Sequence, residues 1–209
     1  MAILLAAFTP SIQLLGISTV YGNQTVEKTT ENALKTLAIS GIKDIPVVKG
    51  AERPLLRPSR QCPEIHGESG LETHSEPFPS VAVDVPVQGK AVNVIYQYLS
   101  NQEDKVTLIA TGCLTNVALL LRIYPEVLNN LKRLVVLGGS YGQGNTGPVT
   151  EWNMELDPEA AKVVFDAGMY IELVQIPIQV THTCLVSPSI FSFLEVSCTS
   201  SSALPEVVL

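Results

Sequence analysis

Residues 106–140 read VTLIATGCLTNVALLLRIYPEVLNNLKRLVVLGGS, and this stretch decides the fold. Val106–Ala110 is apolar and rich in β-branched residues, which predicts a buried strand. Arg133–Leu137 has the same character and predicts a second strand, closed by two glycines. Between them, Leu114–Tyr124 predicts a helix, because one stripe of it is apolar; the stripe consists of Leu114, Val117, Ala118 and Leu121.

The N-terminal part repeats this alternation. Ile12–Val20 (IQLLGISTV) predicts a buried strand, and Thr25 can cap the helix that follows it. One face of that helix is predicted to be buried: Val26, Thr30, Ala33, Leu34 and Leu37. Gly41 supplies its stop, and the segment 46–48 predicts a short second strand. Met1–Phe8 is nearly all apolar and is interpreted as the back half of a buried helix.

The remaining segments complete an α/β pattern. Residues 51–80 hold five prolines and predict a long segment that is either a functional loop or disordered. A helix is predicted near Lys90–Leu99, another after Asp157-Pro158-Glu159 up to Gly168, and a strand at Ile171–Ile176. Alternating strands and helices predict an α/β fold with a doubly wound, mainly parallel sheet.

Composition limits the partners. Of the 209 residues, 46% are hydrophobic, which permits a substantial core, and the net charge is −7. This charge, with scattered basic residues, argues against nucleic acid or an acidic membrane surface as partner. No segment of the sequence is long enough to span a bilayer. The cysteines, whose spacing fits no metal site, predict reduced thiols in a cytoplasmic protein; they are Cys62, Cys113, Cys184 and Cys198.

In doubly wound sheets the ligand lies beyond the carboxyl ends of the strands. Four segments follow predicted strands and are therefore candidates: Gly22-Asn23, Thr111-Gly112, Gly138 to Asn153, and Pro177 to His182. Asn23 is interpreted either as a turn residue or as an amide facing the ligand. The stretch Thr111–Asn116 is interpreted as an ordinary helix cap or as a helix N-terminus that attracts a polar group; a backbone carbonyl there could also bind a hard cation.

Asn145, Glu151 and Asn153 fall in one glycine-rich segment, predicted to be a loop. Two amides and a carboxylate can bind several hydroxyls at once, which suits a sugar better than a phosphate. The alternative is a polar surface loop. His66 lies in HGESG, and a histidine in such a loop is either simply solvated or a proton donor near neutral pH.

Taken together, the sequence resembles the inosine–uridine preferring nucleoside hydrolases. The matching stretches are in family order and span most of the chain to about Leu185: LLGISTVYGN (14–23), HGESGL (66–71), TLIATGCLTNVAL (107–119), LVVLGGSYGQGN (134–145) and EWNMELDPEAAKVVFDAG (151–168). The resemblance implies cleavage of the N-glycosidic bond of ribonucleosides to ribose and free base, with Ca²⁺ holding ribose hydroxyls and a water.

The resemblance also implies residue roles. It places four residues on ribose hydroxyls: Asn23, Asn145, Glu151 and Asn153. Leu137 matches an apolar ribose contact, and the carbonyl of Thr111 matches a Ca²⁺ ligand. His66 matches a histidine that some members place near the base.

Two family features are missing from the sequence. The family opens with a strand and a D-x-D-x-x-x-D-D cluster that supplies the base and most metal ligands, and it carries a late His-Asp pair; neither occurs here. We therefore expect a domain truncated at both ends, partial over 1–195, with a divergent tail at 196–209. This chain is not expected to bind Ca²⁺ tightly. The predicted strand Ile12–Val20 is expected to lose a neighbouring strand with which it would pair. A non-catalytic ribose- or nucleoside-binding remnant is the alternative, and a homo-oligomer stays open.

Overall fold

The computed structural model describes residues 1–71, 79–176 and 206–208. The predicted segment Pro177 to His182 lies outside the described residues, as do Cys184, Cys198 and all of the predicted tail except residues 206–208. Two of the cysteines lie inside them, Cys62 and Cys113, and both are buried free thiols, as the sequence predicts.

The described chain alternates helices and strands in the predicted order. The helices are α1 (Ala2–Phe8), α2 (Val26–Ile39), α3 (Pro63–His66), α4 (Ala91–Ser100), α5 (Thr115–Ile123), the 3₁₀ helix Pro125–Asn129, α6 (Trp152–Leu156) and α7 (Pro158–Phe165). The strands are β1 (Gln13–Ser18), β2 (Val47–Val48), β3 (Val106–Ala110), β4 (Leu131–Ser140), β5 (Ile171–Ile176) and β6 (Glu206–Val208).

The strands form one six-stranded sheet in the order β2-β1-β6-β3-β4-β5, and all neighbouring pairs are parallel. Because parallel strands need crossover connections, helices cover both faces. One apolar cluster joins α1 and α2 to β1, and the other joins α4, α5 and α7 to β3 and β4. The predicted doubly wound α/β fold is confirmed.

Local signals explain the boundaries of α2. The five residues predicted to share a face, from Val26 to Leu37, are all buried. Thr25 stands at the N-cap position, but its side chain makes no capping hydrogen bond. Gly41 has φ +68°, a left-handed conformation that glycine adopts without strain and that ends the helix as predicted.

Three predicted elements need correction. Met1–Phe8 does form a helix, but only Ala6 is fully buried in it, and Phe8 is 64% exposed. Gly138 and Gly139 do not close the fourth strand: β4 continues to Ser140, because an irregularity in its pairing with β5 accommodates Gly139 at φ +72°. The segment up to Asn153 is not all loop, because α6 begins at Trp152.

The expected gap beside β1 is filled within the described residues. β6, from the predicted divergent tail, pairs with β1 on one side and with β3 on the other. Val207 joins the cluster of α1 and α2, whereas Val208 joins the cluster on the opposite face, as the alternation of strand side chains requires. The boundary at residue 195 stays a prediction.

We predict that Val207→Ala lowers the free energy of unfolding by about 1.5–3 kcal/mol, because it removes buried methyl groups from the centre of the sheet. Val207 is 1% exposed. Urea denaturation measures the loss, and Val85→Ala is the matched control because Val85 is 80% exposed. Equal midpoints for the two variants would contradict the central position of β6.

Candidate ribose-binding site

A cavity of about 310 Å³ opens between the carboxyl-end halves of β1 and β3. Val208 of β6 pairs with Gly16 and Leu108, and the following residues of β1 and β3 line the cavity. Helices α2 and α5 line it from the two faces of the sheet. This is the edge at which the sequence predicts a ligand, because loops after parallel strands converge there.

Three predicted site residues line the cavity together: Asn23, Thr111 and Asn153. Asn23 follows the turn after β1, Thr111 follows β3, and Asn153 lies in α6. The amide nitrogen Nδ2 of Asn153 donates to the carbonyl of Leu137, at 2.9 Å, and to that of Thr111, at 3.4 Å. One side chain therefore links the carboxyl ends of β3 and β4.

Glu151 lies behind Asn153 and is 4% exposed. Its carboxylate caps α6 by accepting from the backbone N–H of Asn153, at 3.0 Å, and of Met154, at 3.2 Å. It also accepts from the N–H of Gly139 at 3.1 Å. The carboxylate thus fixes the start of α6 against β4. A carboxylate offers about four acceptor positions, so three N–H groups leave one for a ligand hydroxyl.

Burial also sets the ionisation of Glu151. Removal from water raises the pKa of its carboxyl above the ordinary value, and the three backbone N–H groups act against this shift. Gly138 keeps the site compact, because a Cβ on it would lie 2.2 Å from the methyl carbon of Met154 and 3.3 Å from Glu151 Oε2.

Three further predicted residues do not line the cavity. Asn145 is exposed, and its Oδ1 accepts from the N–H of Trp152 at 2.9 Å, which ties the loop to α6. Leu137 is 37% exposed. His66 ends α3 and is half-buried; burial lowers the pKa of its imidazole, against a smaller raising effect of Glu64. The N–H of Cys62, before α3, donates to the carbonyl of Asn23 at 3.3 Å.

The interpretation of Thr111–Asn116 as an ordinary cap is wrong. Leu114 precedes α5, and no side chain caps it. Asn116 is instead buried and binds two other segments: its Nδ2 donates to the carbonyl of Thr19, at 2.8 Å, and its Oδ1 accepts from the N–H of Ala51, at 2.9 Å.

Sequence reasoning missed a second buried contact, at Asp157. The predicted cap is confirmed, since Oδ1 accepts from the N–H of Ala160 at 3.0 Å. The other oxygen, Oδ2, accepts from the Thr115 hydroxyl at 2.6 Å and from the N–H of Leu55 at 3.0 Å. Asp157 is fully buried and so joins α7, α5 and the 51–62 segment beneath the cavity. The Asp-Pro signal reveals the cap but not these distant partners.

The described residues do not fit a Ca²⁺ ion by themselves. Calcium takes about six to eight oxygen ligands. Among residues 1–71, 79–176 and 206–208, no group of three or more His, Cys, Asp or Glu side chains could hold a metal. The one matched ligand, the Thr111 carbonyl, already accepts from Asn153.

In the same described part of the chain, no helix has the length and apolar character needed to cross a bilayer.

Comparison with known proteins agrees with this fold. The family model described as inosine-uridine preferring nucleoside hydrolase matches residues 1–205. The chain is 44% identical over 196 residues to a non-specific ribonucleoside hydrolase from Salmonella newport, an alignment that covers 92% of this chain and 61% of that protein. The chain therefore spans about three fifths of that curated relative.

Solved structures show the same architecture. A plant nucleoside hydrolase superposes with a TM-score of 0.75 at 30% identity, over 84% of this chain and 55% of that one. A purine-preferring ribonucleoside hydrolase from Gardnerella vaginalis superposes with a TM-score of 0.76 at 27% identity, over 83% of this chain and 56% of that one. This is an α/β protein with a polar site at the carboxyl edge of a parallel sheet. The chain belongs to the inosine-uridine preferring nucleoside hydrolase family.

The raised pKa of Glu151 predicts a pH dependence of stability. Between the ordinary glutamate pKa of about 4.3 and the higher folded-state pKa, the folded chain binds more protons than the unfolded chain. This contribution to stability is fully present below about pH 4.3 and is lost as the pH rises through the folded-state pKa. In the variant Glu151→Gln the side chain at position 151 does not titrate. This variant should therefore not show the loss of stability with rising pH.

We therefore expect the stability difference, wild type minus Glu151→Gln, to be larger near about pH 4 than near about pH 7. Denaturant titrations at both pH values measure it. Glu103→Gln, at an exposed carboxylate, controls for the loss of one negative charge. A difference that grows toward neutral pH would reverse the sign and contradict the burial argument.

Calcium provides a separate prediction. A ligand that binds only the folded state raises stability by RT ln(1 + [L]/Kd), so an ion held by one carbonyl should produce no measurable effect. We expect millimolar Ca²⁺ to leave the Tm of this chain unchanged, in differential scanning calorimetry with Mg²⁺ as the matched ion. A rise specific to Ca²⁺ would show that the chain has a site beyond Thr111.

Proposed function

We propose that this chain carries the ribose-binding part of a ribonucleoside hydrolase, and that the whole protein cleaves the N-glycosidic bond of purine or pyrimidine ribonucleosides to ribose and free base. The observation that carries the proposal is the position of Asn153: its amide bridges the ends of β3 and β4 and lines the same cavity as Asn23 and Thr111. The partner is a small ribonucleoside.

The polar groups suit a sugar. Asn23 and Asn153 both line the cavity with side-chain amides. The Nδ2 of Asn153 already donates to two carbonyls, so its Oδ1 would accept from a sugar hydroxyl. Asn145 uses Oδ1 on Trp152, which leaves its Nδ2 as a donor for a hydroxyl. Leu137 would contact the apolar face of the ribose, and Glu151 would accept from a hydroxyl through its remaining acceptor position.

The charge pattern suits the reaction as well. Cleavage of an N-glycosidic bond builds positive charge on the sugar ring, and preorganised amide oxygens beside one buried carboxylate stabilise such charge. His66 is the candidate proton donor for the leaving base. Burial lowers the pKa of its imidazole, which favours the neutral form over the protonated form that would donate.

In the whole protein, a bound metal ion would hold ribose hydroxyls and a water, and the Thr111 carbonyl would be one of its ligands. The described residues do not complete the coordination of such an ion. The proposed location is the cytoplasm, which agrees with the buried free thiols of Cys62 and Cys113.

The second candidate function is nucleoside or ribose binding without turnover. It is favoured by one observation, that the described residues hold a sugar-binding set but no metal-binding cluster. Incubation of the purified chain with inosine and uridine, followed by chromatography of free base, separates the two functions. Binding without released base supports the second for this chain, and turnover supports the first.

We predict that Asn153→Ala weakens inosine binding by about 1–3 kcal/mol, roughly five- to hundredfold in Kd, because it removes a ligand hydrogen bond and loosens the strand ends. Isothermal titration calorimetry measures the Kd. Asn101→Ala is the matched control, since Asn101 is exposed at the end of α4. If both variants bind inosine as the wild type does, the cavity is not the ribose site.

A further inference from the structure

A row of polar side chains lies along the start of α2. Gln24, Lys28 and Asn32 are spaced by four residues, so they lie on one side of the helix and of the turn before it. Each donates to the carbonyl of one of three consecutive residues: Gln24 Nε2 to Gly67 at 2.7 Å, Lys28 Nζ to Glu68, and Asn32 Nδ2 to Ser69 at 2.8 Å.

Gly70 gives independent evidence for close packing at the same place. It has φ +81°, which side chains rarely adopt. A Cβ on Gly70 would lie 2.9 Å from Gln24 Cγ and 3.1 Å from Asn32 Nδ2. The segment therefore approaches α2 so closely that only glycine fits between the two amides.

The two amides contribute more to this contact than the lysine does. Gln24 is 3% exposed, so the loss of its bond would leave buried polar groups without a partner. Lys28 also pairs with the Glu68 carboxylate at 3.6 Å, but that carboxylate is largely exposed, and exposed pairs contribute little.

The contacts fix α3 at both of its ends. Before α3, the N–H of Cys62 donates to the carbonyl of Asn23; after it, Gly67 accepts from Gln24. His66 is the last residue of α3 and precedes the bonded carbonyls directly. Two neighbouring residues just before α2, Asn23 and Gln24, thus determine where α3 and its histidine lie.

We propose that Gln24, Lys28 and Asn32 are positioning residues, which form a polar clamp that holds residues 67–70 on α2 and so fixes the end of α3 at His66. The role of His66 as a proton donor rests on the proposed function. The clamp itself rests only on the contacts above, so it can be tested without measuring turnover.

The test replaces the donors with apolar side chains of similar size and no charge. In the double variant Gln24→Met/Asn32→Leu, packing is retained but two hydrogen bonds are lost. We expect backbone amides of residues 67–71 to exchange with deuterium roughly tenfold faster or more, because loss of the bonds favours local opening. Amides of β3 and β4 should keep the wild-type rate.

Lys35→Met is the matched control on the same helix. Lys35 pairs with Glu31, at 2.7 Å, within α2 and makes no contact with the segment in the described structure. Lys28→Met is the companion variant if the double variant does not fold, since Lys28 is partly exposed and its replacement buries nothing. Exchange in 67–71 equal to that of Lys35→Met would overturn the clamp, as would acceleration spread equally over β3 and β4.

The imidazole of His66 gives a second readout, which general loosening elsewhere would not move. Glu64 is the charged group that acts on His66, and Lys28 and Glu68 form the ion pair at the adjoining contact; the double variant changes none of the three. Release of the segment exposes the imidazole to water, so its pKa, measured by NMR titration, should rise toward the ordinary value of about 6.5. An unchanged His66 pKa together with unchanged exchange would show that the three side chains only cover the surface.

Discussion

The sheet depends on the pairing of β6 with both β1 and β3. β1 and β3 are too far apart in the sheet to form hydrogen bonds with each other. A third strand must therefore lie between them and pair with both. β6 fills this place with only three residues. Val207 packs in the apolar cluster of α1 and α2, and Val208 packs in the cluster on the opposite face. The same short length determines the site, because β1 and β3 run past Val208 and leave the cavity between their ends.

Around that cavity, buried polar groups rather than apolar contacts set the relative positions of the loops. Asn116 binds the end of β1 to the 50–51 turn, and Asp157 binds α7 to α5 and to Leu55. Gly50 shows how close this packing is, since a Cβ there would lie 2.1 Å from the Thr19 carbonyl. Each of these bonds is directional, so the strand ends can take only one arrangement that satisfies all of them.

Glu151 combines structural and chemical demands in one group. Its carboxylate accepts from two backbone N–H groups at the start of α6 and from the N–H of Gly139 in β4, and this fixes Asn153, two residues further on, against β3 and β4. The same burial raises the pKa of its carboxyl, because the charged form is removed from water. One side chain thus both anchors α6 and carries a titration that differs from that of an exposed glutamate.

The sequence by itself determined the alternation of helices and strands, the buried face of α2, the Asp157 cap and the edge of the sheet where the ligand residues meet. The elements follow from local periodicity and from the positions of glycine and proline, which can be recognised from neighbouring residues in the sequence. The edge of the sheet follows from a general rule for parallel sheets. Tertiary structure alone decided that Asn116 ties β1 to Ala51 instead of capping α5, that Glu151 is buried, and that Val207 and Val208 stand at the centre of the sheet. The partners in these contacts are between 12 and 193 residues apart in the sequence, and no local pattern specifies which distant backbone group a side chain will reach once the chain is folded.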